Sequence, residues 1–317
     1  MKFVILDGHA ANPGDLSWQA LAALGELTVY ERTPAAQTVE RIGSAELVLT
    51  NKTLITAEVL AACPQLRYVG VLASGYNVVD IAAATRQGVT VCNVPGYSTD
   101  AVAQMVFALL LEVCDHVGEH NDSVHWGEWS ECADFCYWKS PLIALSGRTL
   151  GIVGMGQIGC AVATIAKAFG MRVITCGSRP TPARAAVAQF VSMEELLATA
   201  DVISLHCPLK PETKGIINRA SIAAMKDGVI LINTSRGPLV VESDLAEALN
   251  SGKVYAAAVD VVSTEPIAKD NPLLGCKNCI FTPHIAWAAK DCRIRLLEIS
   301  TANVQAFLAG TPQNAVN

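Results

Sequence analysis

Basic charge is scarce in this chain. Its 317 residues carry 23 Lys and Arg against 29 Asp and Glu, a formal charge of −6, with the charges scattered along the sequence. No basic field gathers phosphate backbones, so nucleic acid is not an expected partner. Long apolar runs are missing as well: no stretch approaches the roughly 20 residues of a membrane span, and the opening MKFVILDG is too short in its apolar run for a signal-peptide core. Repeats and low-complexity segments are absent. Cysteine is not scarce, with eleven residues, but they lie irregularly from Cys63 to Cys292 in a long chain, whereas a disulfide scaffold needs a small secreted one. Reduced thiols in a soluble, cytoplasmic protein without a membrane partner are therefore expected. What is plentiful is apolar surface: 51% hydrophobic and 16% charged residues exclude disorder and collagen-like structure. At roughly 150 residues per domain, the length predicts about two domains.

Short Val- and Ile-rich runs alternate with helical patterns. Phe3 to Leu6, Leu27 to Tyr30, Leu47 to Thr50, Tyr68 to Leu72 and Val89 to Cys92 read as buried parallel strands of a first α/β unit, with Leu16 to Leu24, Ala57 to Ala62 and Val79 to Gln87 as helices between them. Asp100 to Val117 is apolar around nearly its whole circumference, which predicts a helix buried on most sides, as core or as a dimer seam. Gly118 to Ser146, polar and aromatic, reads as a long loop. The pattern then restarts with strands at Thr149 to Val153, Arg172 to Cys176, Val202 to His206, Val229 to Asn233, Ala256 to Val261 and Ile280 to Thr282, a second α/β sheet, and a last helix near Asp291 to Leu308.

The strand Thr149 to Val153 runs into Gly154-Met155-Gly156-Gln157-Ile158-Gly159 and then an amphipathic helix, with another strand at Arg172. That βαβ context gives the GxGxxG turn its meaning. Gly154 allows the tight turn, Gly156 lets a pyrophosphate approach the backbone, and Gly159 permits close helix packing, with the helix N-terminus facing the negative charge. NAD binding usually places an Asp or Glu at the end of the second strand. Here no acidic residue occurs from Gly159 to Met193, and the strand ends in Gly177-Ser178-Arg179. A hydroxyl and a guanidinium accommodate a 2′-phosphate that a carboxylate would repel. NADP(H) is therefore the expected preference, with NAD(H) left open.

Three charged residues follow the C-terminal edges of three consecutive strands: Arg236 in NTSRGPLV, Glu265 in DVVSTEP and His284 in PHIAWA. Open α/β sheets bind their ligands at that edge. Taken with GMGQIG and with HCPLKPETKGIIN at His206 to Asn218, these motifs resemble the D-isomer-specific 2-hydroxyacid dehydrogenases over essentially the whole chain. The early LDG, TNKT at Thr50, LASGYNVVD at Leu72 and DFCYWK at Asp134 look like the subgroup of glycerate dehydrogenases, which reduce hydroxypyruvate.

The resemblance implies two doubly wound parallel-sheet domains. A flavodoxin-like substrate domain comprises residues 1–98 and 286–317, and an inserted Rossmann dinucleotide-binding domain comprises 99–285. It implies a homodimer formed through the apolar helix and the aromatic loop. It implies hydride transfer between NAD(P)H and a small 2-oxo acid, with His284 as general acid or base, a role suited to histidine in both directions. Glu265 would hold the imidazole in one tautomer, and Arg236 would bind the substrate carboxylate with its planar fork. Backbone amides at Ser74 and Gly75 would take the other side of that carboxylate, and Lys52 and Trp138 are further candidate substrate contacts. Besides the glycines, Gln157 and Ile158, family cofactor contacts map onto Cys207, Pro208 and Thr213 near the adenosine, and onto Thr234, Asp260 and Ala286 near the nicotinamide. Gln104 departs from the glutamate common in relatives. Glyoxylate and D-lactate-like substrates stay open, as does a dinucleotide-sensing binding protein. Phosphoglycerate is disfavoured by the lack of an additional regulatory domain, and formate by the presence of Glu265.

Two further patterns take a structural reading. Cys276-Lys277-Asn278-Cys279 has no second ligand pair nearby to hold zinc, and His116, His120 and His125 have no partnering carboxylate arrangement beyond Glu112 and Glu119 and read as interface histidines, so no metal is expected.

Overall fold

The computed structural model describes all residues 1–317 and divides into two compact units, Met1–Ser98 with Ala288–Asn317, and Thr99–Trp287. The return into the first unit falls after Trp287, two residues beyond the position expected from the sequence. The reason is local: the Trp287 indole N–H donates to the His284 carbonyl at 2.9 Å and ties Trp287 to the preceding loop.

In the first unit, β1 (Lys2–Ile5), β2 (Glu26–Val29), β3 (Leu47–Thr50), β4 (Tyr68–Val71) and β5 (Thr90–Cys92) form a parallel sheet in the order β2-β1-β3-β4-β5. That is the flavodoxin-like order. The apolar runs of β3 and β4 are wholly buried. β2 departs from the expectation of a buried strand: with a single neighbour at the sheet edge, three of its four residues are exposed. Helix boundaries follow local chemistry. Thr56 caps Ala57–Ala62 through the Val59 N–H, and Asp80 caps Ile81–Gln87 through the Ala83 N–H. The C-terminal helix Lys290–Leu308 packs on β4, with the rings of Tyr68 and Phe307 4.9 Å apart. Arg293 of this helix is buried and donates to both oxygens of Asp15 at 2.7 and 2.8 Å, and this pairing holds the Asp15 carboxyl below its usual pKa. The tail then forms an antiparallel bridge, Ala315 to Cys92, along the outer edge of β5, which leaves less of that edge unpaired.

The second unit holds β6 (Thr149–Val153), β7 (Arg172–Cys176), β8 (Gln189–Phe190), β9 (Val202–Leu205), β10 (Val229–Asn233), β11 (Val254–Val259) and β12 (Cys279–Phe281), all parallel, in the order β12-β11-β10-β9-β6-β7-β8. Six of these strands, from β11 to β8, follow the Rossmann order, with β12 added beyond β11. β8 escapes a sequence pattern because two residues carry no periodicity. The helix Thr99–Asp115 buries Val106, Leu110 and Val113 against the helix Gln157–Ala168 and the sheet, and Phe107 stacks on Phe169 at 5.3 Å. Most of it is therefore core, and Gln104 lies on its exposed stripe.

One expectation fails here. The segment read as a loop from Gly118 begins with a helix, Val117–His125, bent 57° from its predecessor. His116, at φ 48°, breaks the preceding helix. The new helix is mostly polar, so it lacks an apolar stripe; local bonds hold it instead, His120 Nδ1 to the His116 carbonyl at 2.8 Å and the Gly118 N–H to the Glu112 carboxylate at 3.3 Å. No single helix of the chain is long and apolar enough to cross a membrane. All eleven cysteines are free thiols, eight of them buried. In the CxxC pair, both thiols are buried and burial pushes the Cys279 thiol up to about 12, which leaves little nucleophilic thiolate near neutral pH.

Candidate active site

The glycine turn after β6 has three differently constrained glycines. Gly154 takes φ 99°, and a Cβ there would lie 2.6 Å from the Cys207 nitrogen. A Cβ on Gly159 would lie 2.4 Å from the Gly154 carbonyl oxygen. On Gly156 it would meet nothing within 4 Å. Two of the glycines are thus demanded by protein packing, while the third leaves open space at the N-terminus of Gln157–Ala168, where no side chain caps the first amides, including those of Gln157 and Ile158. Unsatisfied N–H groups facing open space are what a pyrophosphate requires.

The neighbouring loops are tied to this turn. Ser178, after β7, accepts the Met155 N–H at 2.7 Å; Arg179 beside it is exposed. After β9, Cys207 is buried against Gly154 and its carbonyl accepts the Ser235 hydroxyl at 2.9 Å. Thr213 donates to the Pro208 carbonyl at 2.7 Å and accepts the Lys210 N–H at 2.8 Å, which closes that loop. Thr234 Oγ1, after β10, is buried without a protein partner. A buried hydroxyl is costly unless something bonds it, so this orphan and the open cradle at Gly156 both fit a bound dinucleotide.

Arg236 is half-buried, and Asn233 shapes its loop, accepting the Ser235 N–H at 3.0 Å and donating to the Arg236 carbonyl at 2.9 Å. A Cβ on the next residue, Gly237, would sit 1.9 Å from the Val262 carbonyl carbon. Only glycine lets the Arg236 loop lie against the loop after β11.

That second loop and the one after β12 carry the acid–base pair. His284 Nδ1 meets Glu265 Oε2 at 2.7 Å. With Glu265 ionised, Nδ1 carries the hydrogen and Nε2 is left to exchange a proton. His284 sits at φ 56°, and its N–H donates to the Asp260 carbonyl at 2.8 Å. The Asp260 carboxylate, 2% exposed, accepts from the Thr282 hydroxyl at 2.6 Å and from the Ile285 and Ala286 N–H groups at 2.9 and 3.0 Å. Three donors compensate for the missing cation beside a buried charge. Asp260 is therefore the root of the His284 loop, a role its position in the sequence did not reveal, and Ala286 is fixed by it. Glu242 is another residue the sequence reading missed; its carboxylate holds Ser263 near Glu265.

The remaining expected residues lie elsewhere. In the first unit, the Asp7 carboxylate accepts the N–H groups of Asn51, Lys52 and Thr53 at 2.7, 2.6 and 2.7 Å, so Lys52 sits on a loop fixed by a half-buried carboxylate. Ser74 donates to the Val94 carbonyl at 2.8 Å, with Gly75 next to it. Trp138 stands 65% exposed on the segment after Val117–His125, outside the network around His284.

Known proteins place the chain in a family. Residues 107–286 match the family described as D-isomer specific 2-hydroxyacid dehydrogenase, NAD binding domain. The chain is 54% identical to a hydroxypyruvate reductase of Blautia hydrogenotrophica, with all of both chains covered, and 39% identical to a glycerate dehydrogenase of Methylorubrum extorquens over 92% of each. The crystal structure of the TT0316 protein from Thermus thermophilus superposes with a TM-score of 0.88 at 37% identity over the whole of both chains. On its two parallel sheets, its glycine turn and its full-length relatives, the chain belongs to the D-isomer-specific 2-hydroxyacid dehydrogenases.

Proposed function

We propose that this protein interconverts hydroxypyruvate and D-glycerate, with glyoxylate as a secondary substrate. The observation that carries the chemistry is the His284–Glu265 pair at 2.7 Å, a histidine with one nitrogen held by a carboxylate and the other available; the 54% identical hydroxypyruvate reductase supports the choice of acid. A reduced nicotinamide dinucleotide supplies the hydride when bound. Gly154, Gly156, Gln157, Ile158 and Gly159 would hold its pyrophosphate, Cys207, Pro208 and Thr213 its adenosine, and Thr234, Asp260 and Ala286 its nicotinamide end. Arg236 binds the substrate carboxylate and polarises the carbonyl. His284 gives the Nε2 proton to the carbonyl oxygen as charge develops there, and is left as the Nδ1–H tautomer that Glu265 stabilises. Ser74, Gly75 and Lys52 in the first unit and Trp138 in the second are proposed substrate contacts.

NADP(H) is the proposed preference, because no carboxylate follows β7 and Ser178 and Arg179 stand there instead. A cytoplasmic homodimer is proposed, its contact made through the exposed aromatics after Val117–His125. Purified protein is expected to reduce hydroxypyruvate faster with NADPH than with NADH at equal concentration, and H284A to lose about 10²- to 10⁴-fold in kcat. A clear NADH preference overturns the cofactor reading alone; no turnover of hydroxypyruvate, glyoxylate or pyruvate overturns the enzymatic one.

A further inference from the structure

Glu265 lies on a segment that burial does not hold. Residues 263–267 are all exposed, yet the Glu265 carboxylate must stay within hydrogen-bond reach of His284; beside the Val262 N–H, which reaches Glu265 Oε1 at 3.3 Å, a loop with so little packing keeps that geometry through fixed ends. Both ends meet one side chain. Glu242, the first residue of the helix Glu242–Ser251, accepts the Ser263 N–H on Oε1 at 2.7 Å and the Ser263 hydroxyl on Oε2 at 2.6 Å. The same Oε2 accepts the Asn271 side-chain N–H at 2.9 Å. Asn271 is 8% exposed, and its amide cannot flip freely, because its oxygen accepts the Leu273 N–H at 3.0 Å. One carboxylate thus closes the loop from Ser263 to Asn271. The helix Glu242–Ser251 starts after Val240 and Val241 and the Gly237–Leu239 turn that follows Arg236, and Gly237 presses against Val262, the residue before Ser263.

We infer that Glu242 is a positioning residue for the reaction, holding the Glu265 loop so that Glu265 orients His284. The inference rests on the reading of Glu265 and His284 given above, and neither residue touches Glu242 in the hydrogen bonds that define the clamp.

Glu242→Gln tests it. The new amide N–H₂ stands either against the Ser263 backbone N–H or against the Asn271 side-chain N–H₂, each of which can only donate, so the clamp loses a bond at one end while size and shape are kept. With NADPH and hydroxypyruvate, E242Q is expected to lose about tenfold to a hundredfold in kcat, the scale of a small misplacement at a reacting group, with KM and cofactor Kd little changed. The double variant E242Q/N271D restores the pairing with donor and acceptor exchanged, and is expected to recover most of kcat. Added to E265Q, E242Q is expected to cost nothing more, since the group it positions is already disabled. A purely structural role would instead lower the melting temperature and act additively. If E242Q is too unstable to assay, S263A, which removes only the hydroxyl bond, is read by the same comparison with E265Q. An E242Q enzyme with native kcat, or a loss that persists in full on the E265Q background, overturns the inference while E265Q remains impaired. A wild-type protein without turnover overturns the functional reading and this inference with it.

Discussion

His206 stands just past the end of β9 with Nε2 against the Ser204 hydroxyl at 2.8 Å. The dense protein around its ring desolvates it and pushes its pKa down from 6.5 to about 4. In that interval the unfolded chain binds a proton that the folded chain refuses. Stability is therefore full above pH 6.5 and lost as the pH falls towards 4, by up to about 1.4 kcal/mol per unit. Urea unfolding at pH 7 and pH 5 is expected to show a larger fall for the wild type than for His206→Gln; equal falls would remove His206 as the cause. Asp201 bends the same curve lower down. Desolvation works against its charge, but the Lys226 ammonium and the Thr149 N–H outweigh it and hold the carboxyl below its ordinary value, so its contribution is present above that value and disappears in more acid solution. At this scale the sequence reading singled out His284, Glu265 and Arg236 by their type and place, and the fold brings His284 Nδ1 to 2.7 Å from Glu265. It did not find Asp260 as the anchor of Ile285 and Ala286, because a carboxylate's donors are known only once the chain is folded.

At the scale of elements, the glycine-rich turn and the loop after β10 make opposite demands. Gly156→Ala meets no protein atom within 4 Å, whereas Gly237→Ala drives its Cβ into the Val262 backbone. G156A is expected to melt like the wild type and to bind cofactor about tenfold or more weakly, a loss of roughly 1.4 kcal/mol. G237A is expected to lose on the order of 3 kcal/mol of stability, high in the range for overpacking, and to lose kcat as well, because the Arg236 and Glu265 loops are forced apart. Differential scanning calorimetry and fluorescence titration with NADPH separate the two. Should G156A lose stability as G237A does, the space beside Gly156 is not a ligand cradle. The elements themselves were mostly legible: long apolar strands such as Thr149–Val153 have a period and a length that leave few readings. The polar helix Val117–His125 was not, since its stability comes from bonds such as His120 to His116 rather than from an apolar face.

For the whole molecule, the surface after that helix underlies the proposed homodimer. Trp126, Trp129, Phe135 and Trp138 are 75%, 51%, 89% and 65% exposed, a concentration of aromatic surface that isolated soluble chains rarely leave in water. Sedimentation equilibrium is expected to give twice the chain mass, and the double change Phe135→Ser, Trp138→Ser to weaken association by about tenfold or more, as for buried aromatic anchors. A wild type that sediments as a single chain would show that these side chains do not mediate self-association.

The linear order of residues determined by itself the two α/β units, the GxGxxG turn, the missing acid after the second strand of that unit, and the three charged residues at successive strand ends. Each is a local pattern, set by backbone geometry within a few residues or by periodicity along one element. Folding alone decided which carboxylates became anchors. Asp7 meets Asn51 across 44 positions, Glu242 meets Ser263 across 21, and Asp260 meets Ile285 across 25. Nothing local distinguishes those acids from solvated surface charge, because the energy of a buried carboxylate depends on the N–H groups brought to it, and parallel β-strands joined by helical crossovers bring them from distant stretches of chain.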